Sequence, residues 1–156
     1  VINSVGVVPG DEESSQWASL RSVLGDLGRY GTRVGAFLAA ETGAEPGLKL
    51  AKLLEGADDA FIAVAFNPGQ LIINRHDVQE TLLALKDRIQ IVCAVDGVID
   101  LAAGRGIAVP LGQGVADFPE LIGMLEDVQY RGRYVVGRVD SPLHELADGI
   151  SYLKEL

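Results

Sequence analysis

Side chains with polar or ligand atoms end four consecutive apolar runs of this chain, and their types would suit acid–base or metal chemistry. In chain order these side chains are Glu41, Asn67, Cys93 with Asp96, and Arg138. If the runs form parallel strands, their carboxyl ends meet at one face, where a barrel of such strands places its chemistry. A carboxylate at that face can transfer a proton, so Glu41 is the candidate catalytic residue.

Five short apolar runs rich in β-branched residues predict the strands that would carry these side chains. The runs cover residues 1–8, 34–40, 60–66, 89–95 and 134–136. None of them alternates strictly between polar and apolar residues, which is typical of parallel strands covered on both faces. The sequence therefore predicts an α/β fold built around a parallel sheet.

Helical patterns separate these strands, because apolar residues recur there at spacings of three and four. Three residues stand where helices would begin and are predicted N-caps: Asp77, Asp117 and Ser141. The last helix is expected to bury one apolar stripe, formed by Leu146, Ile150 and Leu153. The stretch 97–116 is rich in Gly and is predicted to be the longest loop.

The composition of the 156 residues excludes some partners. Hydrophobic residues make up 48%, which is enough for one domain with a sizeable core. A net charge of −9 argues against nucleic acid and anionic membranes, because both need a basic patch. No apolar run approaches the roughly 20 residues of a membrane span. Cys93 is the only cysteine, which favours a reducing compartment and a cytoplasmic location.

Two architectures fit five alternating strands and helices. One is a complete open sheet of the doubly wound kind, in which the strand order reverses. The other is the last five units of an eight-unit barrel, which needs about 250 residues. Because the chain begins at Val1, inside a strand-like run, we expect residues 1–156 to form a single domain that lacks its N-terminal units.

Six segments in order carry a resemblance to a known family. They are residues 1–6 (VINSVG), 38–43 (LAAETG), 64–68 (VAFNP), 88–96, 109–118 with its VPLGQG start, and 130–138. In these segments the chain resembles the sugar phosphate isomerase/epimerase superfamily, the xylose isomerase-like TIM barrels that include the endonuclease IV type. The resemblance covers nearly the whole chain and implies strands four to eight of the barrel.

The resemblance also implies a metal site and a reaction. In the family a divalent ion (Mg, Mn or Zn) polarises sugar oxygens while a carboxylate moves a proton beside the carbonyl. The ion is held by Glu, Asp, His and a second Glu. These four fall on Glu41, Asn67, Cys93 and Gly137, so the implied ligands that remain here are Glu41, Asn67 and Cys93. The family's Asp and Arg are kept as Asp96 and Arg138, which are candidate contacts to a sugar or sugar phosphate.

Three of these four ligand positions have changed, and only Glu41 keeps a carboxylate. A hard ion binds mainly through negative oxygens, so its affinity should be low. Acids at positions 67 and 137 with a His at 93 are expected to raise it. One hypothesis is an isomerase or epimerase whose activity is weak or lost. The alternatives are a non-catalytic barrel relative that binds a small molecule or a protein, and a flavodoxin-like domain; a homo-oligomer is compatible with each.

Overall fold

Five parallel strands form the central sheet of the computed structural model, which describes residues 1–55, 60–100, 102 and 104–156. In spatial and chain order they are β1 (Ile2–Ser4), β2 (Ala39–Glu41), β3 (Ala63–Phe66), β4 (Ile89–Ala94) and β7 (Arg133–Val136). Two further strands, β5 (Asp96–Asp100) and β6 (Arg105–Val109), form an antiparallel hairpin between β4 and β7. The sequential order confirms the barrel-type interpretation. An open doubly wound sheet would reverse its strand order, so the flavodoxin-like alternative is wrong.

Helices connect the strands of the sheet. They are α1 (Ser15–Val34), α2 (Gly47–Glu55), α3 (Pro68–Ile73), α4 (Val78–Leu85), α5 (Phe118–Asp127) and α6 (Leu143–Glu155), with a 3₁₀ turn at Lys86–Arg88. The predicted N-caps Asp77 and Asp117 are confirmed, because each side chain accepts a hydrogen bond from the backbone N–H three residues on. No helix within the described residues is long and apolar enough to cross a membrane.

The two faces of the sheet carry different side chains. On β3, Val64 and Phe66 join the large core under the helices, whereas Ala63 and Ala65 point to a second cluster of small residues with Cys93. Side chains alternate between the faces of a strand. Glu41, the last residue of β2, therefore shares the small-residue face with Ala39.

Several predicted boundaries are wrong; the first strand, for example, was expected over residues 1–8 and covers only Ile2–Ser4. The run 34–40 was expected to be a strand from its first residue, but α1 continues to Val34 and ends at Gly35, whose φ of 69° suits a left-handed helix cap. The stretch 97–116 was expected to be a loop and instead contains the hairpin. Gly106 lets the hairpin approach α3, because a Cβ there would collide with the backbone of Ile73.

The last helix also differs from its prediction. It begins at Leu143 after Pro142, and Ser141 does not cap it. Its expected core stripe is only partly buried: Ile150 is 45% exposed, and the fully buried residue of this helix is Gly149. The hydroxyl of Ser141 instead accepts a hydrogen bond from the backbone N–H of Arg138 and donates one to Glu145, across the turn between β7 and α6.

Candidate functional site

A cleft of about 440 Å³ opens beyond the carboxyl ends of β2, β3, β4 and β7. Four of its lining positions are the predicted ones, Glu41, Asn67, Cys93 and Gly137, and Arg138 lines it as well. Its walls are completed by α3 and by the hairpin, which contributes Ala108. The structure therefore brings together every predicted site residue except Asp96.

The Asn67 side chain is held in one orientation by its neighbours. It is 3% exposed, and its Oδ1 accepts a hydrogen bond from the backbone N–H of Gln70 at 3.0 Å, which caps α3. Its Nδ2 donates to Oε1 of Glu41 at 2.8 Å. Because the cap takes the amide oxygen, the face towards Glu41 is a donor. The NH₂ group of Asn67 thus faces Glu41 from the position where the carboxylate of an Asp would bind a cation together with Glu41.

Cys93 lies on the same face of the sheet and is 8% exposed. Burial raises the pKa of the Cys93 thiol to about 11, and the nearby charge of Glu41 adds to this effect. The thiol is therefore neutral near pH 7. A neutral thiol is a poor ligand, because metals bind the thiolate.

Gly137 stands at the fourth ligand position, where it offers no side chain and has a backbone conformation that favours glycine. Its φ is 135°, which lies in the region that L-residues rarely adopt, and a Cβ there would lie 2.9 Å from Cδ2 of Leu146. An acid at position 137 would strain the backbone before it reached the cleft. The expectation that an acid at 137 raises metal affinity stays a prediction, and the backbone conformation of Gly137 disfavours it.

Arg138 is held by a closed set of hydrogen bonds. Its Nη2 donates to Oε2 of Glu145 at 2.7 Å, and the Ser141 hydroxyl donates to Oε1 of Glu145 at 2.8 Å. The backbone N–H of Arg138 in turn donates to that hydroxyl at 3.0 Å. Partial desolvation of the Glu145 carboxylate acts to raise its pKa. The hydrogen bonds from Ser141 and Arg138 act more strongly in the other direction, so the pKa of Glu145 lies below its usual value. Nε of Arg138 is buried and has no hydrogen-bond partner among the described residues.

Asp96 lies apart from the cleft-lining residues. It is fully buried, and its carboxylate accepts backbone N–H bonds of 2.8 to 3.1 Å from Gly97, Gly112, Gly114 and Ala116. Gly114 is required for this approach, because a Cβ there would collide with the carboxylate. The carboxylate anchors the loop after β6, and this arrangement favours a structural role. The substrate contact predicted for Asp96 stays a prediction.

Sequence reasoning missed two parts of the site. Gln70 lines the cleft from α3, a six-residue helix too short to show a periodic pattern. The sequence feature that indicates this helix is Asn67-Pro68, an N-cap followed by Pro in the first helical turn. Glu145 was missed because its contact with Arg138 depends on the turn after β7.

The described residues do not fit a hard divalent ion. Within them, no group of three or more His, Cys, Asp or Glu side chains is placed to hold a metal. Glu41 offers the one carboxylate of the four positions, Asn67 turns its donor towards it, Cys93 holds its proton, and Gly137 has no side chain. Mg²⁺ and Mn²⁺ bind through oxygen ligands, so this donor set is inadequate.

Sequential parallel strands with intervening helices, and a cleft at their carboxyl ends, define an α/β-barrel type of protein. The chain belongs to the xylose isomerase-like TIM barrel family, whose model matches residues 1–156. The family predicted from the sequence is confirmed. No curated protein matches the chain.

Several solved structures share this fold. A xylose isomerase domain protein from Planctomyces limnophilus has a TM-score of 0.86 at 21% identity, over 99% of this chain and 57% of its own. A xylose isomerase-like TIM barrel protein from Mycobacterium smegmatis, in complex with magnesium, has a TM-score of 0.70 at 16% identity, over 96% of this chain and 53% of its own. The 3-keto-D-glucoside 4-epimerase YcjR from E. coli has a TM-score of 0.64 at 15% identity, over 99% of this chain and 60% of its own. The chain thus spans little more than half of each relative.

Proposed function

We propose that this cleft binds a small sugar-like ligand through hydrogen bonds and without a divalent ion held by Glu41. The observation that carries the proposal is the hydrogen bond from Asn67 to Glu41, fixed by the cap of α3. With the carboxylate paired by an amide rather than a cation, its remaining acceptor sites are suited to ligand hydroxyl groups. The side chain of Gln70, at the same cleft, adds donor and acceptor atoms.

The proposal is tested by calorimetric titration of the purified protein with a panel of pentoses and hexoses. We expect binding that is the same with EDTA and with Mn²⁺, and that is weakened by Glu41→Gln, which removes the charge at constant size. Glu55→Gln, at the exposed end of α2, is the matched control. No binding of any sugar, or binding that requires Mn²⁺, would refute the proposal.

The second candidate is a metal-assisted isomerase or epimerase, the activity first expected from the resemblance. Glu41 favours it, because the family's carboxylate is kept at the cleft. This candidate needs metal ligands from outside the described residues. Stoichiometric Mn²⁺ in the purified full-length protein, lost in Glu41→Gln, would support it. We also propose a cytoplasmic location on the basis of the lone Cys93, and self-association stays a prediction.

A further inference from the structure

We propose that the ligand of this cleft has an apolar end, and that a 6-deoxy sugar fits the cleft better than the corresponding hexose. A 6-deoxy sugar carries a methyl group where the hexose carries a hydroxymethyl group. This inference rests on the proposed function and names the substrate class of the same site. The polar side chains Glu41, Asn67 and Gln70 line the cleft beyond β2 and β3. The wall beyond β4 and β7 is largely apolar.

Close packing between α3 and its neighbours builds the first part of this apolar wall. Gly69 of α3 lies against Val95, because a Cβ at Gly69 would lie 2.7 Å from the carbonyl oxygen of Val95. Gly106 brings the hairpin against Ile73 in the same way. Ala108 of the hairpin packs against the inner cluster that contains Val95. Ile73, Val95 and Ala108 therefore line the cleft together, although they come from three different parts of the chain.

β7 and the turn after it add two valines that are open to solvent. Val135 is 47% exposed and Val139 is 84% exposed, and both line the cleft. Arg138, a charged side chain on the same side, already donates to Glu145 through Nη2. Apolar surface gains free energy when a ligand removes it from water, whereas a hydroxyl group placed against it loses water without gaining a partner. This side of the cleft therefore favours a methyl group over a hydroxymethyl group.

The polar and apolar sides are close enough for one sugar to contact both. β4 is the strand between β3 and β7, so β3 and β7 are separated by two strand spacings, roughly 10 Å. Cys93 lies between the two sides, and its neutral thiol acts as a small apolar group. A sugar whose hydroxyl groups bind Glu41 and Asn67 thus directs its far carbon atom towards Val135. The terminal carbon is therefore the one at which the loss of a hydroxyl group improves the fit.

The test is calorimetric titration with three pairs of sugars that differ in one hydroxyl group: L-rhamnose with L-mannose, L-fucose with L-galactose, and D-fucose with D-galactose. We expect the 6-deoxy member of at least one pair to bind roughly five to ten times more tightly, because apolar pockets discriminate single groups by about this factor or more. Val135→Thr and Val139→Thr keep the side-chain size and add a hydroxyl group. Each should reduce the preference, and the double variant should abolish it. Val23→Thr on α1, 53% exposed, is the matched control and should leave it unchanged.

The outcomes separate this inference from the proposed function. If no 6-deoxy sugar binds more tightly than its partner, or the double variant keeps the full preference, the apolar class is wrong while sugar binding stands. If none of these sugars binds, the proposed function itself fails. Should Val135→Thr not fold, the decision passes to Val139→Thr in the exposed turn, whose preference for the 6-deoxy sugar must be smaller than that of the parent.

Discussion

Asn67→Asp tests whether the Asn67 amide stands in for a cation at Glu41. The substitution keeps the shape of the side chain and the cap of α3, because Asp is as good an N-cap as Asn. It replaces the donor that faces Glu41 at 2.8 Å by an acceptor. Two charged carboxylates at that separation repel by roughly 6 kcal/mol at an effective dielectric constant of about 20, an upper bound for this half-buried pair.

The pair lowers this cost by keeping one proton. A shared proton holds the new carboxyl at position 67 protonated to a higher pH than in the unfolded chain. The folded state then binds more protons, so its stability is present at low pH and is lost as the pH rises. Each pH unit over which the proton is retained costs about 1.4 kcal/mol. Between pH 5 and pH 8 we expect Asn67→Asp to lose about 2–4 kcal/mol relative to the parent.

The assay is denaturant unfolding at pH 5 and pH 8, with EDTA or with millimolar Mn²⁺. Asn3→Asp, at an exposed position of β1, adds the same charge and is the matched control. Mn²⁺ should restore about 1–3 kcal/mol to Asn67→Asp at pH 8 and nothing to the parent or to the control. Equal stability of Asn67→Asp and the parent at pH 8 would show that the amide is not the group that balances Glu41.

Asp96→Asn replaces one of the two carboxylate oxygens by an NH₂ group that faces backbone N–H donors. We therefore expect the free energy of unfolding to fall by about 2–4 kcal/mol. For Asp127→Asn, at an exposed position of α5, we expect a fall of less than about 0.5 kcal/mol. Gly114→Ala should lower the melting temperature because its Cβ meets Asp96, whereas Gly123→Ala in α5, with open space around it, should stabilise by about 0.5–1 kcal/mol. At pH 8 Cys93 should react with iodoacetamide far more slowly than a free thiol, since a pKa of about 11 against 9.0 leaves roughly 100-fold less thiolate. Because the folded state holds this proton more tightly, stability should fall as the pH rises from 9 to 11, and Cys93→Ala should make that fall smaller. Burial also raises the pKa of Tyr130 and Tyr134, so part of the fall should remain in the variant. Identical curves for Cys93→Ala and the parent would contradict the burial of the thiol.

The alternation of strands and helices could be predicted because each element is encoded locally, whereas the choice of a sequential over a reversing strand order came from the family resemblance. Uninterrupted apolar runs and N-caps such as Asp77 act within a few residues, and right-handed connections then leave few arrangements. The hairpin was not predictable in this way. Gly97 and Gly106 are typical of a loop, yet they are present because the hairpin backbone packs closely against α3, and that contact is visible only in three dimensions.

The site shows the same division between local and distant causes. The meeting of Glu41, Asn67 and Cys93 follows from parallel strands that end at one edge, so the sequence was sufficient. The role of Asp96 was not accessible, because three of its four N–H donors lie 16 to 20 residues away along the chain. Nothing in the residue types alone distinguishes a carboxylate that faces a ligand from one enclosed by backbone amides.

The changed ligand positions differ in how easily an acid could be placed back at each of them. At position 67 an acid fits the existing backbone and cap, so one substitution restores a carboxylate pair with Glu41. At position 137 the backbone has a φ of 135°, which L-residues rarely adopt, and a Cβ would meet the side chain of Leu146. A Glu there is expected to strain the turn between β7 and α6, next to the hydrogen bonds that hold Arg138. An acid at position 137 is therefore expected to disturb the hydrogen bonds of Arg138, whereas an acid at position 67 is not. Gly137→Glu should therefore lower the stability of the protein without creating metal affinity. An Asn67→Asp, Gly137→Glu double variant that binds Mn²⁺ more tightly than Asn67→Asp alone would refute this reasoning.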